Sequence, residues 1–279
     1  MTDMDVTGAV TFIYLGASLF YLGHLVFQSE RAGRGGSLLA LIGLLAQTAA
    51  IAWRWVESYK QGIGHAPLSN LYESLVFFAW TTVLIYLIVE RRWKARTLGT
   101  FVLPIATFIL ASTSLTDQEI RPLVPALQSN WLTSHVITCF LGYAAFAVAF
   151  STSIMYLLKL RSEKSDSAGG LVSRFPGSDT LDELTYKSIA LGFPLLTAGI
   201  LTGAAWAQYA WGSYWSWDPK ETWSLIVWFI YAIYLHARIV AGWRGRRTAI
   251  VSILGFIATL FCYMGVNLWL SGLHSYGSG

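Results

Sequence analysis

Eight apolar runs of roughly 18 to 25 residues, the length a helix needs to cross ~30 Å of hydrocarbon, take up most of this chain. They fall at 8–27, 37–56, 71–89, 98–115, 134–158, 186–207, 222–240 and 248–270. Inside lipid every backbone N–H and C=O must be paired within the protein, so runs of this length read as helices; a closed barrel would show shorter, alternating segments. The fold class expected is all-α, a polytopic membrane helix bundle of about eight transmembrane helices forming a single multi-pass domain over 1–279. Only 12% of the 279 residues are charged, against a usual ~25%, which excludes a water-soluble globule. The longest stretch between runs, 159–185, is too short and too polar to bury a core of its own. Within it, RSEKSDSAGGLVSRFPGSD reads as a flexible linker.

The net charge of +4 raises nucleic acid as a partner, but the basic residues sit in short blocks beside the apolar runs. Arg31 and Arg34, then Arg91, Arg92, Lys94 and Arg96, then Lys159, Arg161, Lys164, Arg174 and Lys187, then Arg238, Arg244, Arg246 and Arg247 all fall on one side. The other side holds Arg54, Lys60, Arg121 and Lys220. By the positive-inside rule the larger group is cytoplasmic and both termini are outside. The first run follows the acidic MTDMDV and precedes arginines, the reverse of a cleavable signal, and is read as a permanent span. Pro104 and Pro194 fall inside the fourth and sixth runs, where each removes a backbone donor and kinks the helix.

Cys139 and Cys262 lie in different runs, and there is no CxxC or CxxCH. A disulfide framework, a thiolate zinc site and a covalent haem on this chain are therefore not expected.

Five of the thirteen tryptophans, Trp206, Trp211, Trp215, Trp217 and Trp223, fall within the 18 residues from 206 to 223. An aromatic belt spreads its indoles over many helix ends; here one outer loop carries them, with Gly212 for a tight turn and Tyr214 between. That concentration suits a platform for a large, flat, apolar ligand. Asp218, Pro219 and Glu221 form a D-x-x-E capping box for the seventh helix, so the two carboxylates read as structural before catalytic. Asn70 and Glu73 repeat the device at the third run. A capped helix start also offers N–H groups and positive dipole to a ligand's carboxylates, with Lys220 as counter-charge.

The topology sorts the five histidines by depth. His65, His135 and His274 lie on the outer side, whereas His24 and His236 lie roughly 24 Å and 21 Å into the layer, counted at 1.5 Å per residue. A lone histidine in a membrane helix commonly bonds a neighbouring helix, and this is the first reading for His24; the alternative, from their similar depth, is an intramembrane haem-ligand pair of His24 with His236. Cys139 sits one turn below His135 on the same face, which reads as coincidence. Two imidazoles flanking an indole-walled surface suggest haem, whose iron takes axial ligands on both faces of a flat apolar ring. Zinc fits less well, because a buried site would gather three or four close ligands.

WGSYWSWDPKETWSLIVWFIYAIYLHAR resembles the WWD signature of the CcsA (ResC) family of system II cytochrome c biogenesis. GHAPLSNLYES, SNWLTSHV and the terminal GLHSYG extend the resemblance over most of the chain. The CcmC and CcmF proteins of system I share the aromatic loop more distantly. The resemblance implies a membrane protein that carries haem b transiently from the cytoplasmic side to an outer WWD site, working with a CcsB (ResB) partner. His135 and His274 match the family's two outer axial ligands and His236 its intramembrane histidine, whose partner the family places in CcsB, so a His24–His236 pair has no family support. His65 matches a motif without an assigned role. The implied activity is that of the haem-binding part of a holocytochrome c synthase: the vinyl groups are presented to the thiols of an apocytochrome c CxxCH segment, kept reduced by thiol-reducing proteins. The chain's own contribution is positioning. The implied location is the bacterial inner (plasma) membrane rather than a plastid thylakoid-type membrane.

Three other readings stay open on sequence alone: a bis-histidine electron-transfer cytochrome, a transporter of another amphipathic solute hinged at Pro104 and Pro194, and a structural subunit with an aromatic belt. No run carries two histidines, which disfavours the first. Neither of the first two explains five indoles in one loop.

Overall fold

The strongest local signals in the chain are its helix starts. Thr2 accepts from the Asp5 N–H and Asp5 from the Thr2 N–H; Ser29 accepts from Ala32, Asn70 from Glu73 and Asp218 from Lys220. Each side-chain oxygen satisfies a donor that the first helical turn leaves open. The computed structural model describes residues 2–164 and 170–270. These form α1 (Asp3–Phe27), α2 (Glu30–Lys60), α3 (Leu71–Trp93), α4 (Gly99–Ser112), α5 (Asn130–Lys164), α6 (Ser178–Trp211), α7 (Pro219–Ile239), α8 (Arg246–Leu260) and a short α9 (Val266–Trp269), with a π-helical turn at Phe261–Gly265. There is no strand among the described residues. Eight of the helical segments are long and apolar enough to cross a membrane.

Each apolar run therefore has its helix, but the helices outlast the runs. α6 begins at Ser178 rather than 186, and α5 continues to Lys164 rather than 158. Helical hydrogen bonding does not stop at the edge of the hydrocarbon, whereas the hydropathy pattern does. The segment read as a linker differs for the same reason: 161–164 continue α5, Leu171–Arg174 form a 3-10 turn, and Ser178 already opens α6. Arg174 donates from Nη1 to the Leu25 carbonyl at 3.1 Å and to that of Val26, closing the C-terminal end of α1. Pro104 and Pro194 both lie inside continuous helices.

α5 occupies the middle, packed on α3, α4, α6 and α8. Its stretch Ala144–Ala149 is fully buried, four alanines around Phe146 and Val148. Small side chains let neighbouring backbones approach, the main source of helix association where lipid is as apolar as the helix. α1 packs mainly on α2 and α4, and α7 on α8 and α6. The connections α2–α3, α4–α5 and α6–α7 share one end of the bundle, here the tryptophan end; the opposite, arginine end carries most of the cations.

Two buried ionic clusters hold the ends. At the tryptophan end Arg54 donates from Nε to Glu73 (2.8 Å), from Nη1 to Asp3 (3.2 Å) and from Nη2 to the Glu119 carbonyl (3.3 Å), with its guanidinium 4.9 Å from the Tyr72 ring centre. At the arginine end Asp182 accepts from Arg238, from the Gly245 N–H (2.9 Å) and from Thr248 (3.2 Å), tying α6 to α7 and α8. Charges held in place by several hydrogen bonds can stay buried; unpaired ones cannot.

Candidate functional site

The tryptophan end contains a cavity whose walls come from five separated parts of the chain: Leu68–Leu71, the α5 residues His135 and Cys139, the end of α6, the Tyr214–Glu221 stretch, and Cys262 with Tyr263. Its floor is aromatic. Phe140, Tyr143 and Tyr263 line it and pack with one another and with Phe78 at ring-centre distances of 5.3 to 6.2 Å, and Tyr263 is hydrogen bonded to Ser74 at 2.7 Å.

His135 is fixed by α6. Its Nδ1 lies 2.7 Å from the Gly199 carbonyl oxygen. A carbonyl can only accept, so Nδ1 carries a proton, and in the neutral ring the lone pair is then on Nε2, the arrangement that lets an imidazole bind a metal through Nε2. The ring stacks on Trp206 with centres 6.0 Å apart and planes at 23°, and Cys139 Sγ is 3.7 Å from Nδ1. This contact requires glycine on α6: a Cβ at Gly203 would fall 2.6 Å from His135 Nδ1, and one at Gly199 would fall 2.5 Å from Cys139 Sγ. The pair forms a GxxxG step, Gly199–Ile200–Leu201–Thr202–Gly203, the spacing by which small residues bring membrane helices together.

The five tryptophans divide. Trp206 is buried, donates from Nε1 to the Ala126 carbonyl at 2.7 Å and so holds the α4–α5 connection; with Trp215 it lines the cavity. Trp211 packs edge-on to Trp206, and Trp223 lies against Phe261 with ring centres 4.3 Å apart. Trp217 is 68% exposed and, with φ at 59°, holds a left-handed conformation that costs a bulky residue energy. Gly212 is also left-handed and ends α6, its N–H donating to the Gln208 carbonyl at 3.1 Å. Tyr214 lines the cavity while remaining well exposed.

Asp218 and Glu221 form the capping box. Glu221 accepts from the Ser216 N–H (2.7 Å), the Ser216 hydroxyl (3.2 Å) and the Asp218 N–H (3.2 Å), and Asp218 accepts from the Lys220 N–H at 2.9 Å. These carboxylates set the shape of the loop and present Lys220, which lines the cavity half-buried. Asn70 caps α3 by accepting from the Glu73 N–H at 2.8 Å, but the return half of the expected box is displaced by one residue, to Ser69 instead of the Asn70 N–H. Glu73 accepts from the backbone and hydroxyl of Ser69, both at 2.8 Å, and Asn70 donates to the Glu119 carbonyl at 3.3 Å.

The remaining histidines are elsewhere. His65 is buried, its Nδ1 2.9 Å from the Ala66 carbonyl and its Nε2 3.1 Å from that of Arg121, so the ring joins two loops and neither nitrogen faces the cavity. His24 contacts Gly33, and its Nδ1 lies 3.0 Å from the Ser29 carbonyl in the α1–α2 turn. His236 is exposed near the arginine end of α7, on one stripe with Phe229, Ile233 and Val240. His274 lies outside the described residues.

Gly199 and Gly203, which set how closely α6 meets this wall, and Cys262, which lines it, were not among the expected site residues. The GxxxG step could have indicated the first two. Cys262 carried no signal, because it is brought in by the π-helical turn, which widens the last turn of α8 and leaves Cys262 Sγ 3.8 Å from the Lys220 carbonyl. Cys139 is part of the same wall, not a bystander on the face of His135.

The model for the cytochrome c assembly protein family matches residues 68–274. The chain is 41% identical to the cytochrome c biogenesis protein CcsA of Guillardia theta, over 96% of this chain and 94% of that one. It is 44% identical to CcsA of Parasynechococcus marenigrum (strain WH8102), over 96% of each, and 41% identical to CcsA of Gloeobacter violaceus, over 95% and 93%. Among solved structures, the cytochrome c haem lyase CcmF superposes with a TM-score of 0.68 at 21% identity, over 94% of this chain. The chain spans 46% of that protein, a likeness of fold.

Proposed function

Because this chain belongs to the cytochrome c assembly protein family and acts in cytochrome c maturation as a multi-pass membrane protein, we propose that the cavity at its tryptophan end holds haem b as cargo. The observation that carries this reading is the 2.7 Å contact between His135 Nδ1 and the Gly199 carbonyl. With Nδ1 so engaged, the neutral ring of this cavity-lining histidine has its lone pair on Nε2, the form in which histidine ligates haem iron. His274, four residues past the last described position, is the proposed second axial ligand. Trp206 and Trp215 supply flat apolar contact, and Lys220 with the N–H groups that open α7 supplies counter-charge for the haem carboxylates.

The tryptophan end then faces the outside of the membrane, in keeping with the concentration of Lys and Arg at the opposite end. On this reading the thiols of an apocytochrome c CxxCH segment, kept reduced by separate proteins, add across the vinyl groups, forming a C–S bond and placing the thiol hydrogen on the neighbouring carbon. The chain binds, orients and shields; no side chain here need act as acid or base. Exposed His236, set in an apolar stripe of α7, is the proposed contribution to an intramembrane haem site completed by a CcsB-type partner, with which this chain forms a haem lyase. The proposed location is the bacterial inner membrane.

The test is an absorption spectrum of the protein purified with its CcsB partner from haem-replete cells. Wild type is expected to show a low-spin haem spectrum that His135→Ala and His274→Ala each weaken, with loss of cytochrome c maturation. A colourless wild-type complex overturns the proposal.

A further inference from the structure

A second cavity, of about 460 Å³, opens at the arginine end between α2 and α3. The two helices offer it matching faces. On α2, Arg34, Ser37 and Leu41 recur at intervals of three and four residues; on α3, Leu87 is followed by Glu90 and Arg91 at the same intervals, and Lys94 and Arg96 line the cavity just past the end of that helix. On both helices the leucine lies deeper than the cations, by roughly 10 Å along α2 at 1.5 Å per residue.

The carboxylate of Glu90 is already committed. Its Oε2 accepts from Tyr86 (2.7 Å) and Tyr21 (2.5 Å), and its Oε1 accepts from Ser37. Arg96 is committed as well, 2.8 Å from Glu30 and 3.6 Å from Glu90. Arg34, Arg91 and Lys94 form no ion pair among the described residues, and all three are exposed. The positive-inside rule accounts for cations at this end but not for their convergence on one cavity with an apolar floor: Arg31, Arg92 and Arg244 stand at the same end and do not line it. Exposed Leu38 and Leu45 flank the lining residue Leu41 and extend it as an apolar track along α2.

We propose that this cavity binds the anionic head of a membrane amphiphile, with Arg34, Arg91 and Lys94 on the charge and Leu41 and Leu87 against the apolar body. Basic pockets between membrane helices on the cytoplasmic side suit acidic lipid headgroups. Two sources carry the chemistry, a phospholipid phosphate and the paired carboxylates of haem. The site does not depend on the proposal for the tryptophan end.

The test is titration of the full chain in detergent, followed by native mass spectrometry, with phosphatidylglycerol, phosphatidylcholine and haemin as separate probes. Phosphatidylglycerol is expected to bind more tightly than phosphatidylcholine. Arg34→Gln/Arg91→Gln/Lys94→Gln is expected to weaken it about 100-fold, taking each cation at its usual strength near a membrane surface. The control Arg31→Gln/Arg92→Gln/Arg244→Gln removes the same charge and is expected to leave the affinity within a few fold. Leu41→Trp fills the cavity while keeping every cation and is expected to weaken binding too. Haemin that competes with phosphatidylglycerol and responds to the same variants assigns haem as a ligand; haemin that binds indifferently to them assigns the phospholipid. Equal binding of the two phospholipids, or equal losses in the triple variant and the control, overturns the proposal.

Discussion

The Nδ1–H of His135 points at the carbonyl oxygen of Gly199, 2.7 Å away on the neighbouring helix. One hydrogen bond thus fixes the tautomer and ring plane of the proposed ligand, and it exists because α6 has no side chain at 199 or 203. Gly203→Ala would place a Cβ 2.6 Å from Nδ1. The ring must move, at a cost of about 1–3 kcal/mol as in other overpacked cores. We expect Gly203→Ala to fold, to lose low-spin haem absorbance nearly as completely as His135→Ala, and to show only a modest drop in thermal midpoint in detergent.

Arg54 is 4% exposed and bonded to two carboxylates. Removing it leaves Asp3 and Glu73 buried without their cation, a change that costs about 3–5 kcal/mol. Arg54→Met is expected to lower the unfolding midpoint strongly, and Arg54→Met/Glu73→Gln to recover part of the loss. Equal midpoints for the two variants would show that the ion pair is not what holds this end.

Glu221 satisfies three donors of the loop, whereas Asp218 caps one helix start. Asp218→Ala is expected to cost about 1 kcal/mol, as for other N-caps, and Glu221→Ala more, within the 1–3 kcal/mol typical of unsatisfied buried groups. Hydrogen exchange over 213–222 checks this: faster exchange in both, greater in Glu221→Ala.

The histidines separate in one experiment. His65→Ala breaks the join between the Ala66 and Arg121 carbonyls and is expected to speed exchange in 61–70 and 116–129 while haem absorbance persists. His24→Ala is expected to leave haem content unchanged. His236→Ala is expected to reduce only the haem held jointly with the partner, leaving the ligation at His135 intact.

The bilayer made the eight helices legible, because only a long apolar run can satisfy its own backbone in lipid. The N-cap at Asn70 and the capping box at Asp218 were legible for a similar reason: they are local, with donor and acceptor two or three residues apart. The cavity was not. It depends on how closely α5 meets α6, a matter of Gly199 and Gly203, and on a π-helical turn that rotates Cys262 toward Cys139, 123 residues earlier. The indole cluster was visible as a cluster, but its division into cavity wall (Trp206, Trp215), packing (Trp211, Trp223) and exposed ring (Trp217) follows from where the helix ends and the loop turns. The segment 161–179 looked like a linker on composition, yet Arg174 uses it to close α1.

The most direct measurement is chemical rescue at the proposed ligand. His135→Gly removes the imidazole and leaves room for a free one, so the complex purified with its partner is expected to lose its low-spin haem spectrum and regain it on adding imidazole. An unchanged spectrum in His135→Gly before any imidazole is added would show that the iron is held by another residue, and the assignment of the cavity would fail.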